Sequence, residues 1–428
     1  MTLTTDAAHD ALDAELQAFF GQDPSQMADP YPLYARLRAQ GPLYRHEPGP
    51  ATLVTSYDAV RTVMGGSLPV SNNGWRHGEH ADGVLARLPR HQLHLAESVL
   101  DFESTWLSRR DGADHTRLRR IASRAFTARR IAELRGQIQA RTDELLDALA
   151  AHDEPDLKTQ VADRLPLMVI CDMLGVPLAD RPMIWRWAVA ISEHFSLTEH
   201  SLDEAVGAID AFRDYVLAMV RRLRETGDGP DLAVQLLAGG EREGLTSEEL
   251  VAMYLLLLFG GTETTTNLLG SGFWNLHRGR RQWGDLVDEP GLVSQAVEEM
   301  LRFDPSVHYL PRYAVAEFEL EGRLIRPGES LLTMIAAANR DPDVFEDPDV
   351  FDIRRSNASA HLSLAFGPHF CLGAALARLE GEIFFSSLIA RFPDIELATD
   401  TVQFTGSAMQ RTITGLPVAL GADRERRG

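Results

Sequence analysis

A single cysteine carries the strongest chemical signal in this chain. Cys371 stands in Phe366-Gly367-Pro368-His369-Phe370-Cys371-Leu372-Gly373, a Gly- and Pro-rich turn that leads into a helical stretch running toward Ala390. The first-turn N–H groups and the dipole of such a helix lower a thiol pKa, and Gly373 lets backbone approach the sulfur closely. An ionised, buried thiolate with no second cysteine nearby suits the axial ligand of a haem iron. The alternative is a buried, inert cysteine. The other cysteine, Cys171, lies in the apolar run Leu167-Met168-Val169-Ile170-Cys171 and reads as core. Two cysteines in so long a chain do not make a disulfide framework, and a reducing compartment follows as the default.

A second group of reactive types lies at Gly260-Gly261-Thr262-Glu263-Thr264-Thr265-Thr266. It continues an apolar helix whose start is marked by a capping box, Thr246 with Glu249. Two glycines and a threonine cluster are poor helix material, at roughly 1 kcal/mol per glycine. Their presence predicts a place where the backbone is approached closely or opens, and threonine hydroxyls can bond back and bend the helix. An acid beside an alcohol there offers a route for protons. Two further spacings put charges on shared helix faces. Glu299 and Arg302 are three apart and can pair, and His115 and Arg119 are four apart and can reach one group.

Together these segments resemble the cytochromes P450. The chain is identified as a member of that family, of the soluble bacterial type, over nearly its whole length, from Asp29-Pro30-Tyr31-Pro32 to Gly415-Leu416-Pro417-Val418. The octapeptide resembles the haem-binding loop, and the Gly-Gly-x-Glu-Thr-Thr run resembles the oxygen-binding motif. Glu299-x-x-Arg302 and His115-x-x-x-Arg119 resemble two further family motifs. The resemblance implies a mainly α fold with small β-sheets (α+β) and one haem b held by Cys371. Gly260, Phe366 and Gly373 are implied beside the haem. Glu263 and Thr264 become the proton-delivering acid and alcohol. His115, Arg119, Arg312 and His369 become propionate partners, since a buried carboxylate needs cationic, preferably bidentate company. Glu299 and Arg302 take a structural role, completed by Arg354 or Arg355. One departure stands out: counted back from Cys371, Leu364 and Ala365 occupy the usual aromatic and glycine positions. An alternative alignment opens the motif at Phe366-Gly367 and shortens the loop by two residues. Either way the redox tuning is altered.

The implied activity is a haem-thiolate monooxygenase using O2 and two electrons from a ferredoxin and ferredoxin reductase. Its substrate would be a small organic molecule or natural-product intermediate. Alternatives are an aryl-coupling or nitrating P450, a peroxide-driven variant, and a non-catalytic haem-binding protein. The resemblance places Trp75, with Arg76 and His77, and Leu256, Val307, His308, Tyr309 and Met409 at the substrate pocket. His308 and Tyr309 hint at a substrate with hydrogen-bonding groups; the alternative is that His308 points away and caps backbone.

The elements that must position these residues follow from patterning. The 428 residues carry a formal charge of −20, with 44% apolar and 24% charged residues, ordinary for a globular protein with a large core. That charge disfavours nucleic acid and anionic membranes. An island of arginines at 117, 119, 120, 124, 129 and 130 reads either as a docking face for an acidic ferredoxin, together with Arg378, or as an exposed helix face satisfied by local carboxylates. No linker, repeat, signal peptide or membrane span is evident, so the reading is one domain over 1–428, with 1–25 a flexible extension, monomeric and cytoplasmic. Helices are predicted over 32–40, through most of 115–276, and over 293–303. Strands are predicted near 43–45 and 52–55 and as a hairpin over 318–325 turning at Gly322, with strand and loop over 401–418 and an irregular region over 72–107.

Overall fold

The computed structural model describes residues 3–49, 51–74, 85, 88–192, 199–227, 229–278 and 280–421. Trp75, Arg76 and His77 lie outside them. Helices dominate and the strands are short, so the mainly α class with small sheets is what forms. Two compact units result, each assembled from separate stretches of chain: Met1–Val70, Leu134–Pro166 and Glu263–Gly428 form the first, and Ser71–Glu133 and Leu167–Thr262 the second. No linker marks their limits: three of the four crossings fall within Val70–Ser71, Leu165–Leu174 and Ser247–Arg278, and the fourth at the turn residue Leu134.

The first unit is built on a sheet. Its strands are β1 (Leu43–His46), β2 (Ala51–Val54), β3 (Val70–Ser71), β4 (Leu310–Ala314) and, after a separate hairpin of β5 (Phe318–Leu320) and β6 (Arg323–Ile325), β7 (Ser330–Thr333). The order is β1-β2-β7-β4-β3, with β2 parallel to β7 and the β1–β2 and β4–β7 pairs antiparallel. Every residue of β2 is buried, because alternate side chains enter different cores. Leu53 joins a cluster with Leu16, Phe19, Tyr34 and Leu37, whereas Val54 joins one with Val60, Val63, Leu320 and Leu362. Glu321 and Gly322 both take positive φ, +50° and +73°, which gives the β5–β6 hairpin its two-residue turn where Gly322 predicts it.

The amino-terminal segment is not a loose extension. Residues Leu3–Phe20 form a helix whose Leu12, Leu16 and Phe19, spaced as one helical face, are buried in the first cluster. That spacing was the signal the acidic composition of the segment hid. A second difference is the helix Leu93–Glu103, where an irregular region was expected; Ala96, Val99 and Leu100 form its buried face.

The second unit is helical. The helix Gly112–Ala125 packs on Asp231–Glu243, and Glu199–Thr226 packs on both Arg181–Ser192 and Leu93–Glu103. Gly239 lets the first of these pairs close up, since a Cβ there would sit 3.1 Å from Ile121 Cγ2. The long helix Ser247–Arg278 begins in this unit. Its capping box is formed as read: Glu249 N–H donates to Thr246 Oγ1 at 3.1 Å, and Thr246 N–H donates to the Glu249 carboxylate at 3.0 Å. No helix among the described residues is long and apolar enough to cross a membrane.

Candidate active site

Cys371 is held by the backbone of its own loop. Phe366 is extended, Gly367–His369 make a 3-10 turn, and Cys371 N–H donates to Leu364 O at 2.8 Å, closing the loop upon itself. Gly367 is indispensable there. It takes φ +73°, and a Cβ would lie 2.5 Å from Met64 O. Phe366 is pinned by the Arg61 guanidinium, 4.7 Å above its ring. Gly373 caps the helix Ala374–Arg391, and a side chain at Gly373 would meet nothing within 4 Å. Ala365 adopts φ +60°, a left-handed conformation at the position where the resembled motif usually has glycine. The loop therefore has its full ungapped length, with Leu364 buried and Ala365 at the bend, and the shortened alignment does not describe it.

The acid–alcohol pair lies on the long helix, which stays helical through Gly260 and Gly261 instead of breaking. Gly260 faces open space, with nothing within 4 Å of a notional Cβ, and Gly261 sits 3.4 Å from Ile170 by the same measure. Thr262 Oγ1 donates back to Leu258 O at 2.7 Å, the local bond that threonine was expected to make. Burial pushes the Glu263 carboxyl above its ordinary range, opposed by the Lys158 charge and reinforced by Asp163. Lys158 is itself buried and paired with Asp163 on a π-helical turn, Lys158–Ala162. That turn is tied to the helix by Thr266, whose hydroxyl donates to Ala162 O at 2.9 Å. Gly270, one face further along, leaves room for the Lys158 stem. The Ser306 hydroxyl donates to Thr264 O at 2.6 Å. Lys158, Asp163 and Ser306 were not legible as partners, since each lies far from Glu263 in sequence.

Glu299 and Arg302 are fully buried and bidentate, at 2.7 and 2.8 Å. Arg302 also donates to the carbonyls of Asn339, Pro348 and Val350. Of the two candidates to complete the network, Arg355 does so, 3.3 Å from Glu299; Arg354 pairs with Glu289 at the surface. Arg378 is engaged too, gripping Glu298 at 2.5 and 3.0 Å. Burial works to raise the Glu298 carboxyl, but His361 and Arg378 outweigh it and hold the pKa at about 2. A negative charge at Cys371 adds to the rise in the Arg378 pKa, after the larger effect of Glu298.

His115 is buried on the Gly112–Ala125 helix of the second unit, and burial followed by the Arg119 charge lowers its pKa. Arg312 is buried on β4 of the first unit, which also holds His369 in the 3-10 turn of the cysteine loop. Leu256 is half-buried in the second unit; Val307 and Met409 are half-buried in the first. His308 points away, as the second of its two readings has it, but toward side chains and not local backbone. It is buried in the core of the first unit, its Nδ1 2.8 Å from Tyr34 Oη and its Nε2 3.8 Å from Asp304, and burial lowers its pKa against the opposing pull of Asp304. Tyr309 packs against the same cluster, edge-on to Phe20 at 5.8 Å. Neither supports a polar substrate. The arginine island is likewise satisfied locally: Arg117 pairs with Glu249, Arg120 and Arg124 share Glu243, and Arg129 pairs with Glu133.

A model of the family described as cytochrome P450 matches residues 277–403. The chain is 35% identical over 405 residues to the polyketide biosynthesis cytochrome P450 PksS of Bacillus subtilis (strain 168), covering 92% of this chain and 96% of that protein. It is 36% identical to the cytochrome P450 monooxygenase PikC of Streptomyces venezuelae, covering 93% and 92%. Among solved structures, PksS superposes with a TM-score of 0.82 at 32% identity, covering 92% of this chain and 98% of that one. P450BioI, solved with a fatty-acid-ligated acyl carrier protein, gives 0.82 at 29% identity, covering 93% and 100%. With relatives of this identity matched almost end to end, and the cysteine loop and Glu-x-x-Arg network formed as the motifs predict, the chain belongs to the cytochrome P450 family.

Proposed function

We propose that this haem-dependent P450 oxidises a natural-product intermediate, using O2 and two electrons from an external ferredoxin. The biosynthetic class is suggested by the relative named for polyketide biosynthesis. The observation that carries the catalytic reading is Glu263, an acid whose carboxyl burial pushes above its ordinary range, next to Thr264 on a helix with an unfilled glycine face at Gly260.

The residues fit a haem. Cys371 is not in a disulfide, and Gly260 and Gly373 would each meet nothing with a Cβ. Cys371 would supply the sulfur that holds the iron, with Phe366 beside it, and the family pattern assigns Arg312, His369, His115 and Arg119 to the propionates. Bound through a thiolate, the group supplies oxygen activation with electron push toward O–O cleavage. The chain contributes position and protons. Glu263 offers a carboxyl whose ionisation burial disfavours, Thr264 Oγ1 passes a proton onward, and Lys158 and Asp163 act on the acid in opposite directions. Glu299 and Arg302 fix the segment preceding the loop.

Two measurements test this. Reduced protein with carbon monoxide should show the long-wavelength band of thiolate ligation; Cys371→Ser should lose it and Cys171→Ser should keep it. Ferredoxin, its reductase and substrate should then sustain NADPH consumption with product formed. The band without turnover would leave a haem-binding protein that is not a monooxygenase.

A further inference from the structure

The first unit contains a cleft of about 580 Å³ whose lining includes none of the residues assigned above to haem or oxygen. It lies where the carboxyl end of the long helix, the start of the Tyr31–Ala39 helix and the strands near Phe404 and Arg411 come together. Its floor is rigid. The Arg340 guanidinium lies 3.3 Å from the Tyr31 ring centroid and 3.8 Å from that of Phe303. Two of its carboxylates are already neutralised, Asp304 by Arg411 at 2.9 Å and Asp349 by Arg340 at 3.0 Å. A third, Asp29, accepts the Tyr31 N–H at 3.4 Å.

What remains unmatched is donor capacity. Arg278 lies over the Trp274 ring at 5.9 Å and makes no ion pair or hydrogen bond among the described residues. Among the described residues Arg281 has only Asp285, at 4.0 Å, with its side chain 91% exposed. Asn275 is 6% exposed, lines the cleft, and its Nδ2 has no hydrogen-bond partner. Asn275 and Arg278 are three residues apart on one helix, so a neutral amide donor and a guanidinium share one face. A buried amide without a partner is uncommon and calls for an explanation. The chain's charge of −20 repels anions in general, so anion capture would need local donors of this kind. Around them stand the rings of Phe351 and Phe404. The volume is that of an ordinary small-molecule site.

We propose that this cleft binds a small aromatic carboxylate, with Asn275, Arg278 and Arg281 on the carboxylate and the ring against Phe351 and Phe404. Guanidinium and carboxylate match in geometry, and the amide adds a directional donor. A bare inorganic anion would leave the aromatic walls uncovered, and a neutral arene would leave the donors unmatched.

The test titrates 2-naphthoate into the haem-loaded protein with imidazole bound at the iron, read by calorimetry and tryptophan fluorescence. Saturable binding is expected, weakened by salt. Arg278→Gln and Asn275→Leu should each weaken it roughly tenfold, the loss of one hydrogen bond to a charged group. Far-ultraviolet circular dichroism checks that both variants fold, and the exposed Arg278 position keeps the test valid if Asn275→Leu does not. Neutral 2-naphthol should bind at least roughly tenfold more weakly than the carboxylate. Unchanged affinity in Arg278→Gln would overturn the proposal. So would equal binding of 2-naphthol, displacement by millimolar inorganic phosphate, or displacement of imidazole, which would place the ligand at the haem instead.

Discussion

Ala365 holds φ +60° without the freedom of a glycine. A non-glycine residue in that region costs about 1–3 kcal/mol, tolerated because Leu364 and Gly367 fix the loop on either side. Ala365→Gly should therefore raise stability by about 1 kcal/mol, less the added freedom of the unfolded chain, without changing the carbon monoxide spectrum. Thermal denaturation of the holoprotein checks this, and an unchanged or lowered melting temperature would mean the loop stores no strain. Thr264→Ala acts elsewhere. It should leave substrate binding and reduction intact while product per NADPH falls severalfold and hydrogen peroxide rises, since protonation loses its positioned hydroxyl. Unaltered coupling would assign the role to another group, with Thr265 the next hydroxyl in sequence.

Elements are stabilised by what their buried ionisable groups meet. Arg302 serves Glu299 and three carbonyls at once. Arg302→Met should cost about 3–5 kcal/mol in urea denaturation, because Glu299 would be left charged and buried. Adding Glu299→Leu should recover little, since the carbonyls stay orphaned; full recovery in the double variant would reduce the network to a simple ion pair. The helix after Cys371 poses the opposite case. Glu380 is 1% exposed, its Oε2 has no hydrogen-bond partner, and burial pushes its pKa up to about 8. A carboxyl raised in the native state binds a proton that the unfolded chain releases near pH 4.5, so stability falls as pH rises from there through about 8 and then levels. The slope approaches about 1.4 kcal/mol per pH unit between those limits. Glu380→Gln should flatten that limb in denaturation at pH 5, 7 and 9; an identical slope would mean the carboxyl is ionised in the fold.

These elements also divide what sequence makes legible from what it hides. Local chemistry reads well: the capping box at Thr246, the Glu299–Arg302 spacing and the cysteine turn each involve residues within a few positions of one another. Partners brought from afar do not. Nothing near His308 announces Tyr34 and Asp304, and nothing near Glu263 announces Lys158, whose place depends on a π-turn and on the missing side chain of Gly270. The amino-terminal helix was obscured by its charge, although Leu12, Leu16 and Phe19 keep helical spacing.

On the scale of the whole molecule, the net charge of −20 misdescribes the local surface of the second unit. Arg117 is met by Glu249, Arg129 by Glu133, and Arg120 and Arg124 together by Glu243, so these four present paired charge, worth little in stability each, more than a bare cationic face. The long helix is the element that both units share: residues through Thr262 belong to one and residues from Glu263 to the other. A continuous ladder of i to i−4 bonds thus crosses a boundary of packing at its most glycine-rich turn, where helix propensity is lowest. Amide hydrogen exchange should reveal this as a dip. Protection should be weakest around Gly260 and Gly261 and recover on both sides, so that the acid and alcohol sit beside the point where the helix most readily breathes. Uniform protection from Val251 through Leu269 would show instead that the two units open only together, with oxygen chemistry housed in a rigid rod.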